Sequence, residues 1–290
     1  MEDYLVRILA KEAGVRGLGC VTTNLVNEAC RRHNASPTAA AVLGRALTGV
    51  ALMGALLKVQ QRVALKFEGS GPLEKVLVES DSYGNVRGYV AEPEVDLPKV
   101  GDEHDVVSAI GRAGLLTVVK DLRLKNLYES VVPLASSDVD SDLTVYLEQS
   151  EQIPSLVEAG VIVQEDGDVA MAGGLLIQSM PPHGADIVEQ LKDRTQELPP
   201  VEELLKSGKT PEEILALVFA GIDYEFLEKR LLQFKCGCSR ARSEQALIAL
   251  GREEIEMLLE SEGQAVVDCH FCHERYVFSG KELEMLLEEL

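Results

Sequence analysis

Cys236-Gly237-Cys238 and Cys269-His270-Phe271-Cys272 constrain this chain more than any other stretch. Together they hold four of its six cysteines. One residue separates the first two sulfurs, two separate the second two, and thirty lie between the pairs. Each spacing lets two sulfurs reach one ion, and a tetrahedral zinc ion takes four thiolates at about 2.3 Å each. A lone C-x-x-C is a weak sign. Two close pairs at the ends of one short segment are a strong one, and they predict a single zinc site of Cys236, Cys238, Cys269 and Cys272. Gly237 is expected to let the backbone bend tightly between the first two ligands. His270 and His273 are the competing ligands for a Cys₃His variant, or ordinary surface histidines beside the knuckle. The plainest role for such a site is a structural staple.

The surroundings explain why a staple is needed. Residues 231–290 carry six basic and twelve acidic residues and few large apolar ones. Sixty residues of that composition cannot build much core, and metal is the usual substitute. The whole chain has 290 residues, room for two or three units. Its aromatic fraction is 4% and it has no Trp, so the main core must be aliphatic. Its balance of 28 basic against 48 acidic residues, a net charge of −20, opposes a phosphate-binding surface and so a nucleic-acid partner.

Met1-Glu2-Asp3-Tyr4 has neither a basic start nor an apolar run after it, so no secretory signal is expected and the location is read as cytoplasmic. There, thiols are kept reduced, and paired cysteines point to metal or redox chemistry. The longest apolar stretch, 39–57, is diluted by Ala, Gly and Arg45. It reads as a buried helix rather than a membrane span.

Taken in order, 4–9 reads as a strand and 24–33 as a helix carrying Cys30. Ser36-Pro37 starts a long apolar helix reaching about Lys58. Strands are expected at 62–67, 73–80, 86–91, 115–120 and 130–134, with a turn at Ser82-Tyr83-Gly84-Asn85. A helix covers 140–150, and 157–163 pairs with 168–178 across Glu165-Asp166-Gly167. Strands in runs with separate helices mean α+β, with a largely antiparallel sheet. Pro181-Pro182-His183-Gly184 closes this part. Short helices follow at 186–196, 201–206 and 211–219, the last with a Thr210/Glu213 capping box. Leu204, Leu205, Ile214, Leu215, Leu217, Val218 and Phe219 give them an apolar face that must dock on something. In the tail, Ser243 is expected to cap a helix to Leu250, a second helix passes through Ile255, and strands at 265–268 and 275–278 flank the second cysteine pair. Ser279 and Glu282 box the last helix. The division is therefore 1–180, an α+β core; 181–230, an amphipathic helical linker; and 231–290, the zinc-binding segment.

Other chemistry finds little support. Gly208-Lys209-Thr210 lacks the earlier glycine of a phosphate loop, where Glu203 stands. Gly17-Leu18-Gly19 lacks the third glycine of a dinucleotide loop, and there is no G-x-S-x-G elbow. His33, His104 and His183 read as surface or satisfied residues, and Cys20 and Cys30 as small buried ones. Reactive thiols of the thioredoxin kind sit at a helix N-terminus. Cys272 instead precedes His273-Glu274-Arg275-Tyr276-Val277-Phe278, which reads as strand.

With these residues in hand, the chain resembles the redox-regulated holdase chaperones, the 33 kDa chaperonins or thirty-three-kilodalton heat shock proteins. The C-x-C pair, the thirty-residue gap and the C-x-x-C pair match that family's zinc switch. Tyr146-Leu147-Glu148-Gln149-Ser150-Glu151-Gln152-Ile153-Pro154-Ser155 resembles its N-terminal signature, and Gly173-Gly174-Leu175-Leu176-Ile177-Gln178 and Gly69-Ser70-Gly71-Pro72-Leu73 are similar to its glycine turns. The resemblance spans essentially the whole length. It implies a non-enzymatic, ATP-independent chaperone that is silent when reduced and zinc-bound. Peroxide or hypochlorous acid would convert the ligands into two disulfides, Cys236–Cys238 and Cys269–Cys272, and eject the zinc. The linker would then unfold to expose apolar surface for unfolding client proteins, and the active form would be a homodimer. No nucleic acid, membrane or nucleotide partner is implied. Two other readings stay open on the residues alone: a zinc ribbon of translation or transcription, and a thiol–disulfide oxidoreductase.

Overall fold

The computed structural model describes residues 2–180 and 184–290, so Pro181, Pro182 and His183 of the expected boundary lie outside the described residues. The chain opens on β1 (Tyr4–Ala10) and β2 (Val15–Val21), followed by α1 (Thr23–His33) and α2 (Pro37–Gly54). Ser36 caps α2 by accepting from the Ala39 amide at 3.2 Å, with Pro37 in the first turn. Every residue of α2 except Pro37 and Arg45 is buried. A helix apolar on all sides must be surrounded. α2 is the one helix among the described residues long and apolar enough to cross a membrane, and it is the central core element instead. It stops at Gly54, short of the expected Lys58, where two tight turns to Met53 and Gly54 carbonyls redirect the chain.

Next come β3 (Arg62–Gly69), β4 (Lys75–Asp81), β5 (Asn85–Val90), α3 (Val106–Ile110), β6 (Gly114–Asp121), β7 (Tyr128–Pro133), α4 (Val139–Gln149), β8 (Ser155–Val163) and β9 (Val169–Ser179). Three helices follow, α5 (Ala185–Gln196), α6 (Val201–Lys206) and α7 (Pro211–Val218), then β10 (Glu225–Leu231) and β11 (Gln233–Phe234). The strands form two sheets, in orders β10-β1-β2-β9-β8 and β11-β5-β4-β3-β6-β7. All pairings are antiparallel except the two-residue β11–β5 match. The fold is α+β, as expected, with two antiparallel sheets in this part. α2 packs against strands of both.

The first sheet has a second apolar face. Tyr4, Val6, Ile8, Val15, Leu175 and Ile177 point away from α2 into a separate core completed by α5, α6 and α7. Six of the seven apolar residues expected to dock are buried there; Leu217 alone faces out, at 37% exposure. Glycines in the sheet make the fit. A side chain at Gly17 would meet the Phe219 ring at 2.8 Å, and one at Gly173 would overlap Leu205. Gly17-Leu18-Gly19 is thus a strand that receives a helix. Nothing in 220–231 announces a strand, yet β10 pairs with β1 along six registered residues.

The chain divides into two compact units, Met1–Lys235 and Cys236–Leu290. The second contains α8 (Arg240–Leu250), α9 (Arg252–Glu262), the hairpin β12 (Gln264–Asp268) and β13 (Arg275–Ser279), and α10 (Gly280–Glu289). Its core is six buried residues, Leu247, Ile255, Ala265, Phe278, Leu283 and Leu286. The capping box of Ser279 and Glu282 is present. Ser243 is not a cap: Ser239 fills that role and Ser243 is buried inside α8. Both serines satisfy the residue-type rule, and only Ser239 has the extended backbone a cap needs.

Candidate metal centre

Cys236 and Cys238 stand in the loop entering α8, immediately before its cap. The Arg242 guanidinium donates to the Gly237 carbonyl at 2.7 Å and ties this loop to the first turn of the helix. Gly237 does not occupy the left-handed region. What its missing side chain supplies is room: a Cβ there would lie 3.3 Å from Arg242 Nη1. The expected tight bend is therefore a matter of space, not of backbone sign.

Cys269 and Cys272 sit on the turn joining β12 to β13. The Cys269 amide donates to Glu274 carbonyl at 3.0 Å, and the amides of Cys272 and His273 both return to the Cys269 carbonyl, at 3.3 and 2.8 Å. His273 takes a left-handed φ of 55° to close the turn. Its chain is committed to that geometry, and neither His270 nor His273 joins the cluster of candidate ligands.

The loop and the turn bring the four sulfurs within 4.8 Å of one another. The short distances run between the pairs: 3.6 Å from Cys236 to Cys269 and 3.3 Å from Cys238 to Cys272. A regular tetrahedron with bonds of about 2.3 Å has edges of about 3.8 Å, so the donor set fits one tetrahedral ion. All four are free thiols here. Burial pushes both the Cys269 and the Cys272 thiols up from the usual thiol range, with Cys236 adding to the rise at Cys269 and Cys238, Cys236 and Cys269 adding to it at Cys272. A divalent cation reverses that preference, because only the thiolate ligates.

Around the sulfurs the structure shows a contact that the spacing did not reveal. The Tyr276 hydroxyl donates to Cys238 Sγ at 3.3 Å. Tyr276 lies opposite Val267 in the hairpin, so its position follows from the β12–β13 register. Arg275 pairs with Asp268 at 2.8 Å on the outer side of the same hairpin. The remaining cysteines are elsewhere: Cys20 in β2 and Cys30 in α1 are both buried, and burial pushes each thiol up to about 12. His33 is buried and stacked on Tyr89. His104 is half-buried, and neither His33 nor His104 joins the candidate ligand set; His183 lies outside the described residues.

The model of the Hsp33 protein family matches residues 3–279. The chain belongs to the Hsp33 family. It is 51% identical over 288 residues to a 33 kDa chaperonin of Geobacter sulfurreducens, covering 99% of this chain and 96% of the relative. A 33 kDa chaperonin of Geobacillus sp. strain WCH70 is 45% identical, covering 99% of this chain and 97% of that protein. Among solved structures, the Hsp33 homologue of Thermotoga maritima superposes with a TM-score of 0.92 at 37% identity, over 100% of this chain and 99% of that one. The Hsp33 match thus extends across both units, from β1 to β13.

Proposed function

We propose that this Hsp33-family chain is an ATP-independent holdase chaperone switched on by oxidation. In the reduced state Cys236, Cys238, Cys269 and Cys272 would hold one zinc ion, which supplies the folding energy that a six-residue core does not. Structural zinc contributes roughly 10–16 kcal/mol in small zinc domains, comparable to the whole stability of a typical domain. The observation that carries the reading is the convergence of four sulfurs within 4.8 Å inside a unit with so small a core.

Oxidant would then remove the ligands by closing Cys236–Cys238 and Cys269–Cys272. Only one or two residues separate the members of each pair, and every sulfur has its resolving partner within the cluster. The unit from Cys236 onward would lose its support. In the functional division proposed, 1–180 is the chaperone core, 181–230 the linker and 231–290 the switch. Release of α5, α6 and α7 would bare the second face of the first sheet, an aliphatic surface suited to unfolding clients. A homodimer is the active form proposed, in the cytoplasm, with no enzymatic turnover and no nucleic acid, membrane or nucleotide partner. The net charge of −20 supports the exclusion of nucleic acid.

The test compares zinc-loaded reduced protein with peroxide-treated protein, following zinc content and light scattering of a heat-unfolding client without nucleotide. Suppression of aggregation should appear in step with zinc loss. Equal suppression by the reduced, zinc-loaded form would sink the switch.

A further inference from the structure

Tyr276 is half-buried against the small core of the second unit, and its hydroxyl reaches Cys238 Sγ at 3.3 Å. The contact spans 38 residues and is set by two independent pieces of structure, the loop before α8 and the register of β13. Besides the sulfur–sulfur contacts within the cluster, Cys269 accepts from the backbone amides of Phe271 and Cys272, and Cys272 from that of Glu274. The donor to Cys238 belongs to a side chain, and a side chain can be changed without disturbing the turn.

We propose that Tyr276 is a positioning residue for the oxidation chemistry: by donating to Cys238 Sγ it makes that sulfur a weaker nucleophile and so sets how much oxidant the Cys236/Cys238 pair requires. This rests on the redox reading above. A hydrogen bond to a sulfur stabilises the electron pair that must be given up when the sulfur attacks. In the first step one thiolate of the pair attacks a peroxide oxygen, the O–O bond breaks, and a sulfenic acid and hydroxide form. In the second, the other thiolate attacks the sulfenic sulfur, the S–O bond breaks, and a disulfide and a second hydroxide form. Two electrons pass from the two sulfurs to the peroxide. Cys238 is the nucleophile in one step or the other whichever sulfur begins, so the hydrogen bond slows closure of its pair wherever the attack by Cys238 limits the rate.

The substitution Tyr276→Phe keeps the ring and removes the donor. It is made in the full chain, reduced and loaded with zinc. Dilute hydrogen peroxide is added, samples are quenched by alkylation, and the closure of each pair is followed by peptide mass spectrometry. Zinc release is followed with a chromogenic indicator. Closure of Cys236–Cys238 should quicken about fivefold, the rate equivalent of one ordinary hydrogen bond, with Cys269–Cys272 unchanged. Site-specific 3-fluorotyrosine at 276, a stronger donor, should slow the first pair at neutral pH, and this arm decides the matter if Tyr276→Phe fails to load zinc. A Tyr276→Phe chain that oxidises like the unsubstituted one, or that quickens both pairs equally, overturns the assignment. If instead the unsubstituted chain keeps its zinc and thiols under peroxide, it is the redox reading itself that fails.

Discussion

Cys272 is 5% exposed, and its amide and the His273 amide both bond the Cys269 carbonyl. Replacing it by serine leaves that turn intact and removes one thiolate from the set. Zinc affinity should fall by more than the ~10–100-fold that an outer-shell change costs. Competition against a chelating indicator measures it, with Arg275→Ala, at the outer face of the hairpin, as the control that should change little. A second residue-scale case lies in the Glu148–Glu151 stretch. Glu148 pairs with Lys192 at 2.7 Å, Ser150 meets Ser130 at 2.6 Å, and Glu151 pairs with Lys120 at 2.6 Å while accepting from the Tyr146 hydroxyl at 2.5 Å. A run that reads as a capped helix end is a polar knot tying α4 to β6, β7 and α5. Glu151→Ala leaves Lys120, only 15% exposed, without its carboxylate. The expected loss is roughly 1–3 kcal/mol in urea unfolding of the first unit.

At the scale of elements, α6 rests on an unusual bed. The Val201 amide, at its N-terminus, donates to Glu158 of β8 at 2.8 Å. Glu202 fills the space over Gly160. Asp138, Asp140, Glu103 and Glu203 share the neighbourhood with Arg45, which contacts Asp138 at 3.0 Å and Asp140 at 3.5 Å. Burial, reinforced by Glu202 and Asp140, raises the Glu158 carboxyl to about 7; burial, with Asp138, raises Asp140 to about 6; and burial raises Glu202. The folded state therefore keeps protons that the unfolded chain has given up. This contribution is fully present below about pH 4, the unfolded carboxyl range, and is lost as pH rises through about 7. Docking of α6 should weaken from pH 5 to pH 8 by on the order of 2 kcal/mol after solvent screening. Hydrogen exchange of α6, corrected for intrinsic rates, reads it. Glu158→Gln should flatten the dependence, and an unchanged slope in that variant contradicts the cause given. The glycine seats offer a complementary change. Gly173→Val has no room beside Leu205 and should free α6 at constant pH, seen as increased binding of an apolar dye to reduced protein.

Across the whole molecule, the two units differ in what holds them. The first has two aliphatic cores on either side of one sheet. The second has a core of six buried apolar residues and four sulfurs. Chelation of the reduced, zinc-loaded chain should abolish exchange protection in 236–290 and leave the β3–β4–β6 amides protected; a second unit that stays protected without metal contradicts the role given to zinc. Residue type and spacing in the sequence were enough to mark the four sulfurs, the buried α2, the Thr210 and Ser279 capping boxes and the apolar faces of α6 and α7. Those features are local: periodicity, caps and ligand spacing act within a few residues. What only the tertiary structure decided lies between distant residues. β2 has two glycines in its seven residues and alternates poorly until Phe219 and Leu215 are seen seated against them, and β10 reads as a charged segment until β1 pairs with it. Arg45 comes from α2 and the carboxyls around it from the start of α4, from β8, from α6 and from the loop before α3, and the Tyr276 hydroxyl finds Cys238 across 38 residues. Register and packing set such distances, and no local pattern encodes them.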